Sequence, residues 1–264
     1  SFNTFDSNTS KQLHGRDITE LKLKAIEHLT RAGVKMTLLN VMIHETNEDS
    51  ISALFELMRQ NDNILSLTVQ TMTYTGQGGG NFKRTQHIPA DLAARKICQQ
   101  SDGMLEFSDF LTRPSAHPLC YQVCYLLKTG KEMLPFTRFA PKEQIEQLFK
   151  DSYLIRPEKG QEFFSEVINQ LYSQGQTEYL GVLRKLVEKM YPADSSVSDF
   201  QRQRIAESTV RTIYVHSHMD EDTFDCSRAM LCPDLVPSEP GKLIPACTYN
   251  LFYRMKDKRF YIDE

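Results

Sequence analysis

At 264 residues and 40% hydrophobic composition, the chain is long enough to bury one substantial core, or a core with an appendage. Its net charge of −3, with both signs spread along the sequence, leaves no basic stripe for a phosphate backbone and argues against a nucleic-acid partner. No run approaches the roughly 18 apolar residues of a membrane span, and the opening SFNTFDSNTSKQLHGRD has neither the basic nor the apolar region of a secretory leader, so a cytoplasmic protein without a transmembrane segment is expected.

The first six residues read as the end of a strand with no initiator methionine ahead of it, the pattern of a fragment. Asp17 and Glu20 form a capping arrangement that predicts a helix, along which Leu21, Ala25, Ile26 and Leu29 recur at helical spacing until Gly33 supplies a left-handed stop. Residues 34–43 are apolar and partly β-branched, as in a strand buried on both faces of a parallel sheet. A helix over 49–60, with Ile51, Leu54, Phe55, Leu57 and Met58 inward, and a strand over 64–72 continue a βαβ rhythm. The turn TGQGGG (75–80) then lies past a strand's carboxyl end, where parallel α/β folds bind ligands, although it lacks both the dinucleotide fingerprint and the P-loop lysine. A further helix runs from Pro89 to about Gln100. Residues 141–207 carry helices at 141–150, 157–173, 177–190 and about 199–207 and read as a helical insertion, with Phe163, Phe164, Val167, Ile168 and Leu171 on its inner face. Residues 209–216 alternate like a strand and deliver His216 and His218 to a loop, where they could hydrogen-bond a substrate, tune a metal centre, or simply meet water. Asp220 and Asp225 suit capping of a short helix that carries Arg228.

Four of the six cysteines fall in two distant segments: Cys120 and Cys124, and Cys232 and Cys247. Thiolates so distributed suit a soft metal that ties remote parts of a chain together, and four suffice for zinc or for an iron–sulfur cluster. The chain is too long and too charged for a small disulfide-stapled scaffold, so reduced thiols are expected. Cys98 reads as a buried helix thiol and Cys226 as a bystander. One reading is a non-catalytic, zinc-stabilised binding protein using four of Cys120, Cys124, Cys232, Cys247 and His117. An ordinary (β/α) enzyme using no cluster would need a nucleophile–base pair that the sequence does not offer, since neither a G-x-S-x-G elbow nor an H-E-x-x-H helix occurs.

Taken in order, SFNTFDSNTSKQLHGRD, KMTLLNVMIHETNEDS, VQTMTYTGQ, SDFLTRPSAHPLC, HMDEDTFDCSRAMLC and IPACTYNLFYR resemble the later part of radical S-adenosylmethionine (radical SAM) proteins of the tetraether-lipid synthase and pterin-methyltransferase-like group. The resemblance implies an α/β fold: a partial (β/α)6-type barrel over residues 1–112, a cysteine segment at 113–140, the helical insertion at 141–207 and a cysteine-bearing carboxyl-terminal extension at 208–264. It implies a radical SAM iron–sulfur enzyme that couples lipids or methylates a ring, acting on a small-molecule or lipid substrate with help from an electron donor. S-adenosylmethionine would meet the strand ends, where Asp6, Asn40, Gln70, Thr75 and Gly76 offer polar groups. An auxiliary [4Fe-4S] cluster would take Cys120, Cys124, Cys232 and Cys247, the place of the fourth ligand being open to Cys124, His117, Ser115 or an external group. The family's CxxxCxxC loop, which holds the second, radical-generating [4Fe-4S] cluster, is absent: Leu127 stands where Cys120 and Cys124 would need a third partner. The chain is therefore expected to be inactive alone, its early strands lying upstream of Ser1.

Overall fold

The computed structural model describes residues 1–75, 82–150, 155–192 and 197–259. Its centre is a six-stranded mixed sheet. Strands β1 (Met36–Met42) and β2 (Ile64–Thr71) are parallel to each other and to β6 (Val210–Ser217), which lies beside β2. Strand β4 (Tyr121–Thr129) runs antiparallel to β6 and carries two short antiparallel partners, β3 (Leu111–Thr112) and β5 (Glu132–Pro135). The α/β class holds, but the sheet is open: among the described residues no pairing joins β1 to β3, so a closed barrel is not formed. The free edge of β1 is lined by residues 2 and 3, where Phe2 N–H donates to Leu39 O at 2.7 Å and Asn3 Oδ1 accepts from Val41 N–H at 2.9 Å.

Residues 1–6, expected as a strand end, form no regular strand, and helix α1 (Ser7–His14) follows them, starting where Asp6 accepts the amide of Thr9 at 2.7 Å. In α2 (Thr19–Arg31) the boundaries fall near those expected, yet no residue is buried: Leu21 is 63% exposed, and Ile26 supplies its partial contact with the core. The amphipathic stripe is real; it simply finds little surface to pack on.

Two apolar layers follow from the alternation of side chains along each strand. On one face Leu38, Met42, Leu67, Val69, Cys124, Leu126, Ile213 and Val215 meet α3 (Ile51–Gln60) and α4 (Ala90–Gln99). Helix α3 inserts Ile51, Leu54, Phe55 and Met58, each side chain contributing about 1.5–3 kcal/mol on burial. On the other face Val123, Tyr125 and Leu127 pack against α5 (Lys142–Phe149), α6 (Pro157–Ser173), α7 (Leu180–Met190) and α8 (Asp199–Thr209). Tyr125 stacks on Phe149 with centroids 3.7 Å apart, and Phe136, Phe139, Phe163 and Phe164 fill the space behind. Strand β4 is thus covered on both faces.

A buried cation joins these layers at the end of the sheet away from the carboxyl ends of the parallel strands. Arg211, fully buried, donates to the carbonyls of Glu207, Ser208 and Val210, closing α8, and to Asp62 O ahead of β2. At the opposite end the chain continues through α9 (Cys226–Met230), the hairpin of β7 (Leu235–Glu239) with β8 (Lys242–Pro245), and α10 (Ala246–Phe252). No helix among the described residues is long and apolar enough to cross a membrane.

A candidate site at the carboxyl ends of the parallel strands

One register row organises the site. Val41 pairs with Gln70, Gln70 with His216, and His216 with Tyr121, placing four side chains side by side on one face. The row lies one residue short of the carboxyl ends of β1, β2 and β6, where connecting loops can close over a ligand. Tyr121 stacks on His216 at 4.0 Å between centroids, and His216 meets the His218 ring at 3.9 Å. Tyr121 donates its hydroxyl to Asp234, whose Oδ2 lies 3.5 Å from His216 Nε2. Gln70 Nε2 stands 3.3 Å from His218 Nε2, and His218 Nδ1 stands 3.6 Å from the Cys247 sulfur.

Burial, with His218 and the Arg228 guanidinium nearby adding to it, pushes the His216 imidazole down to about 2. Burial also lowers His218, against the pull of Asp234 and with that of Arg228. Both rings are therefore neutral near pH 7, each offering one donor and one acceptor. The same face continues one row back through Thr68 and Tyr214 to a groove of about 310 Å³ that reaches Thr37, Ser66, Thr212 and α8.

Three of the four proposed cysteine ligands gather beside the row. Cys120 ends the turn before β4, and its sulfur accepts Arg228 Nε at 3.3 Å while Arg228 Nη2 donates to Ser217 O at 2.8 Å. Asp225 caps α9 and so sets Arg228 in place, accepting the amides of Ser227 and Arg228. Cys232 donates its thiol to Asp234 O at 3.3 Å, and Cys247, in the first turn of α10, accepts Met219 N–H at 3.2 Å. Burial raises the Cys247 thiol, and the neighbouring Cys232 and Cys120 raise it further against Arg228; burial likewise raises Cys232, with Cys120 and Asp234 adding to it.

Cys124 stands elsewhere. It is fully buried on the opposite face of β4, in the core layer that α4 covers, and burial holds its thiol well above the usual cysteine range, with Asp109 and Cys98 adding to it. Ser115 is exposed and accepts from Arg113, and His117 Nδ1 accepts the amide of Leu119. Of the residues expected to meet S-adenosylmethionine, Gln70 belongs to the row. Asp6 caps α1, Asn40 donates to the carbonyls of Phe2 and Asn3, Thr75 contacts Thr73, and Gly76 lies outside the described residues with the rest of GQGGG. Tyr121 and Asp234 escaped the sequence reading because β4 was not foreseen, and without that strand nothing sets Tyr121 opposite His216.

The donors do not fit the clusters that the resemblance implies. The CxxxCxxC loop is not in the sequence, Cys124 is fully buried in the core layer that α4 covers, and among the described residues no group of three His, Cys, Asp or Glu side chains stands ready to hold one ion. No family model matches the chain. It is 20% identical over 289 residues to the 7,8-dihydro-6-hydroxymethylpterin dimethyltransferase of Methanocaldococcus jannaschii, across 94% of this chain and 54% of that protein. The chain thus spans about half the length of the curated relative it matches.

Proposed function

We propose that this chain is the substrate-holding part of an S-adenosylmethionine-dependent radical enzyme that transfers methyl groups to a small, nitrogen-rich ring of the pterin kind. The observation that carries the reading is the Gln70, His216, Tyr121 row with His218 and Asp234 at the carboxyl ends of three parallel strands. A pterin presents alternating donors and acceptors on a flat ring, and two neutral imidazoles, an amide and a carboxylate supply the complementary set. Stacked Tyr121 and His216 give the row a rigid aromatic wall, so the polar groups need little reordering when a ligand arrives. The similarity to a pterin dimethyltransferase along nearly the whole chain supports the same substrate class. S-adenosylmethionine supplies the methyl group and the radical; this chain, without a CxxxCxxC motif, holds the acceptor and is not expected to start the reaction alone.

Anaerobic fluorescence titration of the 264-residue chain with 7,8-dihydro-6-hydroxymethylpterin tests this. Saturable one-to-one binding is expected, weakened about tenfold or more, about 1.4 kcal/mol, in Gln70→Ala and in His216→Ala. A folded chain that binds no pterin, or binds it equally well in both variants, overturns the proposal.

A further inference from the structure

The sheet face that carries the Gln70 row changes character toward the other end of the strands. On β4 it presents Val123, Tyr125 and Leu127, packed against the helices of the insertion. On β1, β2 and β6 the neighbouring positions are hydroxyls. Thr37 pairs with Ser66 and Ser66 with Thr212 in one register row, and Thr68 pairs with Tyr214 in the next. Ser66 is 9% exposed and Thr212 8%, so the row is not an ordinary wet surface. These side chains line the groove of about 310 Å³ against α8, together with Glu207. A hydroxyl taken out of water costs free energy unless something bonds it. Thr37 Oγ1 and Ser66 Oγ lie 2.8 Å apart and bond each other. The hydroxyls of Thr68 and Thr212 make no hydrogen bond among the described residues, and neither is sealed from the groove.

The lining restricts the chemistry of an occupant. No lysine, arginine or histidine lines the groove, so it offers no counter-charge to a phosphate or carboxylate. Its charged group is Glu207, which accepts from Gln203 at 3.2 Å and from Arg204 at 3.4 Å along α8. Arg204 already balances that charge, which disfavours an amine. Each Glu207 oxygen still has room for a second donor, because a carboxylate offers about four acceptor positions. Beside these polar groups stand Leu65, Ile155, Val210 and the Tyr214 ring, which suit C–H surface. Hydroxyl edges alternating with C–H faces are the mark of sugars and sugar alcohols. We propose that the groove binds a neutral polyhydroxylated small molecule of the sugar or sugar-alcohol class. Glu207 accepts from its hydroxyls, Thr68 and Thr212 each donate and accept, and Tyr214 with Ile155 covers its C–H face. Thr212 lies two rows, about 13 Å, behind His216, and the site uses no residue of the Gln70, His216, Tyr121 row. It is therefore independent of the methyl-transfer reading.

Ligand-observed saturation-transfer NMR on the 264-residue chain, with ribitol, ribose, glucose and myo-inositol as the probes, tests the assignment. Saturable transfer is expected from at least one of them. Pentane-1,5-diol keeps ribitol's carbon chain but only its terminal hydroxyls, and should bind about tenfold more weakly or worse than the best probe. Glu207→Gln holds the shape and loses the charged acceptor, and should weaken that probe about tenfold or more. Thr212→Val holds the shape and loses the hydroxyl, and should weaken it about threefold or more. Gln70→Ala, which alters the neighbouring row, should leave the probe's affinity unchanged. A chain folded by circular dichroism that binds none of the probes, binds pentane-1,5-diol or putrescine as tightly as the best of them, or keeps its affinity in both Glu207→Gln and Thr212→Val overturns the proposal. Loss of probe binding in Gln70→Ala overturns it as well, because the probe then sits in the row.

Discussion

Cys124 separates a core thiol from a ligand thiol in one experiment. It is fully buried in β4, within the apolar layer shared with α4, and has Cys98 and Asp109 rather than Cys120 as neighbours. Cys124→Ala removes one sulfur and leaves a void of roughly 20 Å³, worth about 0.5 kcal/mol at about 24 cal/mol per Å³; with about 1 kcal/mol of lost transfer energy the cost is about 1.5 kcal/mol. Cys124→Ser keeps the shape but buries a hydroxyl among apolar side chains, costing about 1–3 kcal/mol if no acceptor is found. At about 2 °C per kcal/mol for a chain of this size, the alanine variant should melt about 3 °C early and the serine variant about 2–6 °C early in thermal denaturation followed by circular dichroism. Bound metal per chain, measured by elemental analysis, should stay unchanged in both. A fall in metal content with no change in melting temperature would refute the argument and return Cys124 to the ligand set.

Arg211→Ala leaves the carbonyls of Glu207, Ser208, Val210 and Asp62 without their buried donor, and should cost about 3–5 kcal/mol in denaturant unfolding; a loss under about 1 kcal/mol means the guanidinium is not holding α8 to the sheet. Gly160→Ala places a methyl 2.6 Å from Ile155 Cγ2, so the melting temperature should fall by an amount set by about 1–3 kcal/mol of overpacking, despite the better helix propensity; a rise contradicts the packing of α6. Burial pushes the Glu48 carboxyl up, but hydrogen bonds from His44 at 2.6 Å and Lys96 at 3.1 Å outweigh it and hold the group below its ordinary value. Its folded form thus releases its proton more readily than the unfolded chain does, which stabilises the fold above the ordinary glutamate range and is lost as the pH falls through the folded value. Glu48→Gln should melt earlier at pH 7 and show a flatter melting-temperature curve below about pH 4.5; curves parallel to that of the unaltered chain count against the pairing.

The elements that the sequence announced are those whose pattern is local. The apolar runs became β1 and β2, the stripe of Ile51, Leu54, Phe55 and Met58 became the buried face of α3, and Phe163, Phe164, Val167 and Leu171 turned inward on α6 as their spacing required. Strand β4 was not legible: its burial on both faces erases the alternation by which a strand is recognised. The stripe on α2 was legible as a helix yet not as an exposed one, because a helix carries its amphipathic pattern whether or not a partner surface meets it.

By itself, then, the order of residues determined the helix and strand periods, the absence of a basic or membrane-spanning character, and which side chains had the chemistry to bind a soft metal. Only the tertiary structure decided which of those side chains share a place. Residue types and spacings are properties of a segment, whereas the meeting of Tyr121 with His216, the turning of Cys124 into the core and the approach of His218 to Cys247 depend on strand register and on a tail folding back across more than a hundred residues. A shift of one residue in β4 would exchange Tyr121 for Gln122 against the histidines, and no local pattern in the chain forbids it.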